Sequence, residues 1–207
     1  MAAFLGNLRN VLIVSVLLAL VMIVLFSSFS GHGFGDMTLW QAILRWMHVF
    51  FGILWIGLLY YFNFVAARKT PEIPAELRPA LSKYITPEAL FWFRWSALFT
   101  VLAGVTLAGL RGGEYAANVF TFGLAGGYDA SKRGFTLMGI GIYLAIIMFL
   151  NVWGVIWPNQ KRALGIVAAD DAAKARSARI AGMASRINVL LSLPMLTSMA
   201  MYQTLFG

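Results

Sequence analysis

The stretch WMHVFFGILWIGLLYYFNF, residues Trp46–Phe64, decides the fold class. As a helix rising about 1.5 Å per residue, it approaches the roughly 30 Å depth of a hydrocarbon core, and it lengthens if started at Leu39. Its apolar residues do not alternate, so it does not read as the strand of a membrane barrel. Within this run lie His48, Trp55 and Asn63. A ring that titrates near neutrality and an amide need partners there, because water is absent.

Working outward, the runs Val11–Phe29, Leu39–Phe64, Ala89–Leu110, Gly134–Trp157 and Ile187–Leu205 each have the length and composition of a span. The chain of 207 residues is 60% hydrophobic and 12% charged, too apolar for an ordinary soluble domain. The expectation is an all-α, polytopic transmembrane bundle of five spans, forming one integral membrane domain over residues 1–207. Val11–Phe26 has features of a signal peptide, but its length favours an uncleaved first span. There is no cysteine. The chain therefore supplies no thiolate metal ligand and no covalently attached haem c.

Five alternating spans place Arg9, the 65–88 loop and the 158–186 loop on one side. That side receives Arg68, Lys69, Arg78, Lys83, Lys161, Arg162, Lys174, Arg176, Arg179 and Arg186, against Arg111, Lys132 and Arg133 on the other. The positive-inside rule then sets the N-terminus in the cytoplasm and the C-terminus outside, as in a multi-pass protein of the bacterial inner membrane. The formal charge of +8 is accounted for by orientation and contact with membrane lipids, and the flanking charges do not form a nucleic-acid-binding domain.

The loops carry further signals. Pro71, Pro74 and Pro79 argue against continuous helix after the second span, while Thr86-Pro87-Glu88 has the form of a capped start for the third. Pro158 is expected to stop the fourth span, and Pro194 to kink or break the fifth. The glycines at 112, 113, 123, 126 and 127, interleaved with Tyr115, Phe120, Phe122 and Tyr128, suggest a loose interfacial loop or a docking surface. Ala168–Arg186 is helix-forming and could run straight into the fifth span, with Asp170 and Lys174 as an i,i+4 pair.

At 100° per residue, Arg45, His48, Gly52, Trp55 and Leu59 share one broad face. Gly52 permits close approach and Trp55 offers an apolar platform with one donor, so His48 and Trp55 are the candidates for binding a cofactor. Three roles stay open to His48: a structural hydrogen bond, a haem or other metal ligand, or a contact to quinone or a small substrate. His32, the other histidine, belongs near the same membrane interface and is the candidate second metal ligand. Asn63, Asn151, Trp157, Asn159, Arg186 and Asn188 are structural or substrate-contact candidates at the opposite level. The predicted spans contain no paired carboxylates, which weakens proton pumping and metal hydrolysis, and no catalytic residue is assigned.

The run Trp46–Val65, together with Asn151-Val152-Trp153-Gly154-Val155-Ile156-Trp157-Pro158-Asn159-Gln160, resembles the membrane domain of the PuuD-type urate oxidase family. Ser185–Leu196 resembles its last membrane segment. The resemblance implies a setting in which a larger membrane region joined to a c-type cytochrome domain is associated with urate oxidation. The present chain departs in having no cytochrome sequence and fewer predicted spans, and Tyr202-Gln203 stands where a further polar or histidine-bearing region would be sought. His48, Trp55, Asn63, Asn151, Trp157 and Asn159 carry over as motif positions, without individual roles.

With an incomplete ligand set, the sequence favours an accessory or scaffold subunit of a membrane redox or electron-transfer complex, not itself catalytic. Its partners would be larger membrane redox subunits or an extracytoplasmic cytochrome c. The alternative is a haem- or quinone-binding electron-transfer or urate-oxidase-like subunit centred on His48, with haem b or quinone as cofactor.

Overall fold

In the computed structural model, which describes residues Ala2–Phe206, five helical segments are long and apolar enough to cross a membrane. They are α1 (Leu8–Phe29), α2 (Met37–Glu72), α3 (Arg78–Leu110), α5 (Ala130–Ala163) and α6 (Asp171–Leu205), with a short α4 (Gly113–Phe120) between α3 and α5. The all-α, five-helix expectation therefore holds. The last four segments run to 33–36 residues, roughly 50 Å, so each outreaches a hydrocarbon core of about 30 Å. The excess is basic and lies at one end of the bundle: Arg68 and Lys69 on α2, Arg78 and Lys83 on α3, Lys161 and Arg162 on α5, Lys174 to Arg179 on α6.

The bundle is built from two antiparallel pairs. Helices α2 and α3 pack closely, as do α5 and α6. Small residues explain the proximity, since hydrocarbon gives no solvent drive and association rests on backbone approach and dispersion. On α3 the small buried residues are Ser96, Ala97, Thr100, Ala103 and Ala108; on α5 and α6 they include Gly134, Gly139, Gly141, Ser177, Ala181, Ala184, Ser192 and Ser198. At the half of the bundle nearer the basic extensions the two pairs meet in one core, where Trp55, Leu59, Leu90, Phe93, Met148, Val152 and Ile156 are all at most 2% exposed. Helix α1 packs lightly against α2 and buries no residue.

Three wide, π-type turns interrupt the spans, at Tyr61–Ala66, Leu81–Ile85 and Val152–Ile156. They revise two sequence expectations. Thr86 is not a cap: it has helical backbone, and α3 already starts at Arg78. Nor does Pro158 stop α5, which continues to Ala163. Both Pro87 and Pro158 follow directly on a wide turn, at the first positions of renewed α-helix. A proline in an α-helix lacks a donor and its ring strikes the carbonyl four residues back; a wide turn moves that carbonyl aside. Pro194 does not break the fifth segment either: it lies inside α6, which is continuous helix from Asp171 to Leu205.

The break predicted at Pro71–Pro79 is real, falling between Glu72 and Arg78, and Arg78 ties it by donating to the carbonyls of Ile73 (2.8 Å) and Pro71 (2.9 Å). The basic helix from Asp171 and the fifth apolar segment are one element, as expected, but Asp170 and Lys174 do not pair. Asp170 caps α6 by accepting from the Ala173 amide at 2.7 Å, and Lys174 reaches Asp171 at 3.2 Å.

Candidate functional site

Towards the end of the bundle away from the basic extensions, the two helix pairs separate and leave a cavity of about 400 Å³. Every long pair member contributes: Arg45, His48 and Val49 from α2, Thr100 to Ala108 and then Arg111 from α3, Met138 to Ile146 from α5, Leu196 to Gln203 from α6. Tyr115 and Phe120 of α4 close its outer end. The walls are mostly apolar, and the polar side chains on them are Arg45, His48, Thr100, Arg111, Tyr115 and Gln203. A concave apolar volume with a few convergent polar groups is the usual form of a small-molecule or cofactor site.

His48 is held by α3. Its Nδ1 lies 2.8 Å from the carbonyl oxygen of Thr100. A carbonyl can only accept, so Nδ1 carries a proton and Nε2 is the ring nitrogen left for another partner. Nε2 has no hydrogen-bond partner among the described residues. One helical turn beyond Thr100, Gly104 makes room for the ring: a Cβ there would stand 2.8 Å from both Cε1 and Nδ1 of His48. Gly104 and the Thr100 carbonyl thus fix the imidazole plane together. This is the arrangement by which proteins orient histidines that bind metals, the second nitrogen being tied to a backbone carbonyl.

The end of the cavity away from the basic extensions is assembled by α3, α4 and the start of α2. Gln41 donates to the Leu110 carbonyl at 2.9 Å and so draws the N-terminal turn of α2 to the C-terminal turn of α3, with Arg45 one turn along and Arg111 next in sequence. Arg111 donates to the Tyr115 hydroxyl at 3.0 Å and lies 4.4 Å from that ring's centre. Burial, and then hydrogen bonding with Tyr202, push the Tyr115 phenol up to about 12, so it remains a neutral donor and acceptor.

The glycine-bearing outer segment is more ordered than its composition suggests. Gly112, Gly123, Gly126 and Gly127 have φ of +106°, +82°, +68° and +93°, which side chains rarely adopt, so they shape tight turns. Lys132 donates to the carbonyls of Ala125 (2.6 Å) and Gly127 (2.7 Å), Thr136 to Phe122 (2.6 Å) and Tyr143 to Phe120 (2.9 Å). The segment folds back on its own bundle.

The other sequence candidates lie elsewhere. Trp55 is fully buried in the inner core beyond the cavity, its indole N–H without a partner among the described residues. His32 is outside the cavity, paired at 2.6 Å with Asp36, which also caps α2 by accepting from the Thr38 amide at 2.8 Å. The structure therefore does not bring the two histidines to one site, and no cluster of three or more His, Cys, Asp or Glu forms among the described residues. Asn151 donates to the Ala184 carbonyl (2.8 Å) and to Asn188 Oδ1 (2.7 Å), while Asn188 donates to Met148 (3.1 Å), stitching α5 to α6. Asn63 reaches Ser185 (2.8 Å) and the Leu59 carbonyl (2.8 Å), and Asn159 the Val155 carbonyl (2.8 Å). Trp157 stacks beneath the Arg94 guanidinium at 3.9 Å, and Arg186 is exposed.

Sequence reading missed Thr100, Gly104, Arg111, Tyr115 and Gln203 as site residues. Arg111, the first residue after a span, and Gln203, polar within an apolar end, were the available signals.

Fold and site together define a helical protein with five membrane-length segments and an apolar cavity between two helix pairs. Comparison with known proteins finds no family model, no curated protein and no solved structure that matches this chain.

Proposed function

We propose that the protein is the cofactor-bearing membrane subunit of a redox assembly, holding a flat lipophilic cofactor of the haem b or quinone kind beside His48 for electron exchange with a partner. One observation carries this: His48 lines a cavity of about 400 Å³ in the helical bundle and is held there by Thr100 and Gly104 with one ring nitrogen left unbonded. A scaffold needs only packed faces, as the inner half of the bundle has; an imidazole oriented on a cavity wall is built for a ligand. The resemblance of residues 46–65 and 151–160 to a redox-linked membrane family supports the setting.

The basic helix extensions support an orientation with that end in the cytoplasm of a bacterial inner membrane. The cavity then lies towards the outer face, within reach of an extracytoplasmic cytochrome c or a larger membrane redox subunit. Purification in mild detergent, followed by a reduced-minus-oxidised spectrum and extraction of quinones, tests the reading. The expected result is one bound cofactor per chain, lost in His48→Ala. A folded protein that co-purifies with a cytochrome complex yet carries neither haem nor quinone would return the assignment to a scaffold.

A further inference from the structure

We infer that the cavity is a haem b site in which His48 Nε2 bonds the iron and Arg45 and Arg111 receive the two propionate carboxylates. The inference rests on the cofactor-binding reading above and selects between its two chemistries. The first selection comes from the proton on His48. With Nδ1–H given to the Thr100 carbonyl, Nε2 is the nitrogen left for a ligand, and in the neutral ring it offers a lone pair. That suits a metal ion; a quinone carbonyl, which needs a donor, gains nothing from it.

The second selection comes from charge. Arg45 and Arg111 both line the cavity, and neither forms an ion pair with a carboxylate among the described residues. Arg111 spends one donor on the Tyr115 hydroxyl and keeps the rest of its fork. Two guanidinium groups on a mostly apolar cavity, Arg45 exposed and Arg111 half-buried, suit an anionic ligand, and guanidinium matches carboxylate geometry. A quinone head is neutral. A ligand that joins a metal centre, a flat apolar body and two carboxylates answers His48, Arg45 and Arg111 together, and the small residues Ala108, Ala145 and Ala200 leave the walls room for a flat body. When bound, the group would supply a one-electron iron centre; this chain's residues hold and orient it.

The test uses the full chain in detergent, titrated with haemin, haemin dimethyl ester, metal-free protoporphyrin and a short-chain ubiquinone. Haemin should bind one to one with a shifted Soret band, and the wild-type chain should bind the ester and the metal-free ring at least ~10-fold more weakly. Arg45→Gln and Arg111→Gln should each weaken haemin several-fold while leaving the ester unchanged. His48→Gly should lose the ligand band, and added imidazole should restore it. Equal binding of haemin and its ester would overturn the carboxylate assignment, and equal binding of haemin and the metal-free ring would overturn iron ligation, both without any variant. Binding of ubiquinone but not haemin would overturn this inference while sparing the cofactor reading; binding of none of the four would remove both.

Discussion

Gly104→Ala is the sharpest perturbation, because it adds one methyl group at the point where α3 supports His48. The new Cβ would lie 2.8 Å from Cε1 and Nδ1, whereas ordinary contact begins at 3.4 Å, so the ring must retreat from α3 by about 0.6 Å. Its bond to the Thr100 carbonyl, now 2.8 Å, belongs to the same helix and would stretch beyond the useful range for N–H···O. Overpacking costs about 1–3 kcal/mol, while cross-helix hydrogen bonds in membranes average about 0.6 kcal/mol. With 1.4 kcal/mol per tenfold, cofactor affinity should fall about 10- to 100-fold. Spectroscopic titration of purified protein measures the affinity, and 15N imidazole shifts report whether Nδ1 keeps its proton. Gly57→Ala is the control, since a Cβ there meets nothing within 4 Å. Unchanged affinity and imidazole shifts in Gly104→Ala would refute the claim that Gly104 and Thr100 orient the ring.

Three other perturbations address the scaffold around the site. Gly141→Ala drives a Cβ into Ser198 Oγ on α6 and to 3.2 Å from Met199 Cε, so it should lower detergent stability by about 1–3 kcal/mol, with Ser198→Ala as a partial rescue; additive melting shifts in the double variant would contradict direct contact. Asn151→Leu and Asn188→Leu should each cost about 0.6–2 kcal/mol, and because Asn151 donates to Asn188 at 2.7 Å a double-mutant cycle should show coupling; zero coupling would dissolve the proposed stitch. The Asp36 carboxylate is held down to about 2 by the Thr38 amide and then by His32, below its ordinary 3.8. Since the folded value is the lower one, this cap's contribution is present above about pH 4 and is lost as the pH falls towards about 2. A 13C carboxyl titration should place the midpoint near 2, and a midpoint at 3.8 or above would exclude the capped geometry.

What composition determines here is solvent and helix count. Apolar runs of membrane length satisfy their backbone as helices in hydrocarbon, so five membrane-length helices, the basic end and the run of the basic helix into the fifth segment were readable from residue order alone, whereas its continuity through Pro194 was not. Local rules failed at the prolines. Pro87 and Pro158 look like boundaries because proline disrupts a regular α-helix, but wide turns just before them remove the clash, and a wide turn has no strong sequence mark.

The periodicity of α2 put Arg45 and His48 on one face and marked His48 as a residue needing a partner. It assigned Trp55 to the same site, and only packing separated the two: Trp55 falls where the helix pairs close, His48 where they part. Which backbone carbonyl takes the Nδ1 proton, and which glycine makes room for the ring, depends on α3 lying at a particular register beside α2, more than fifty residues away in sequence. The cavity itself is a property of four helices and α4 together. Sequence supplied the histidine; the tertiary arrangement determined which of its nitrogens is free, because a proton's position is set by the acceptor it faces.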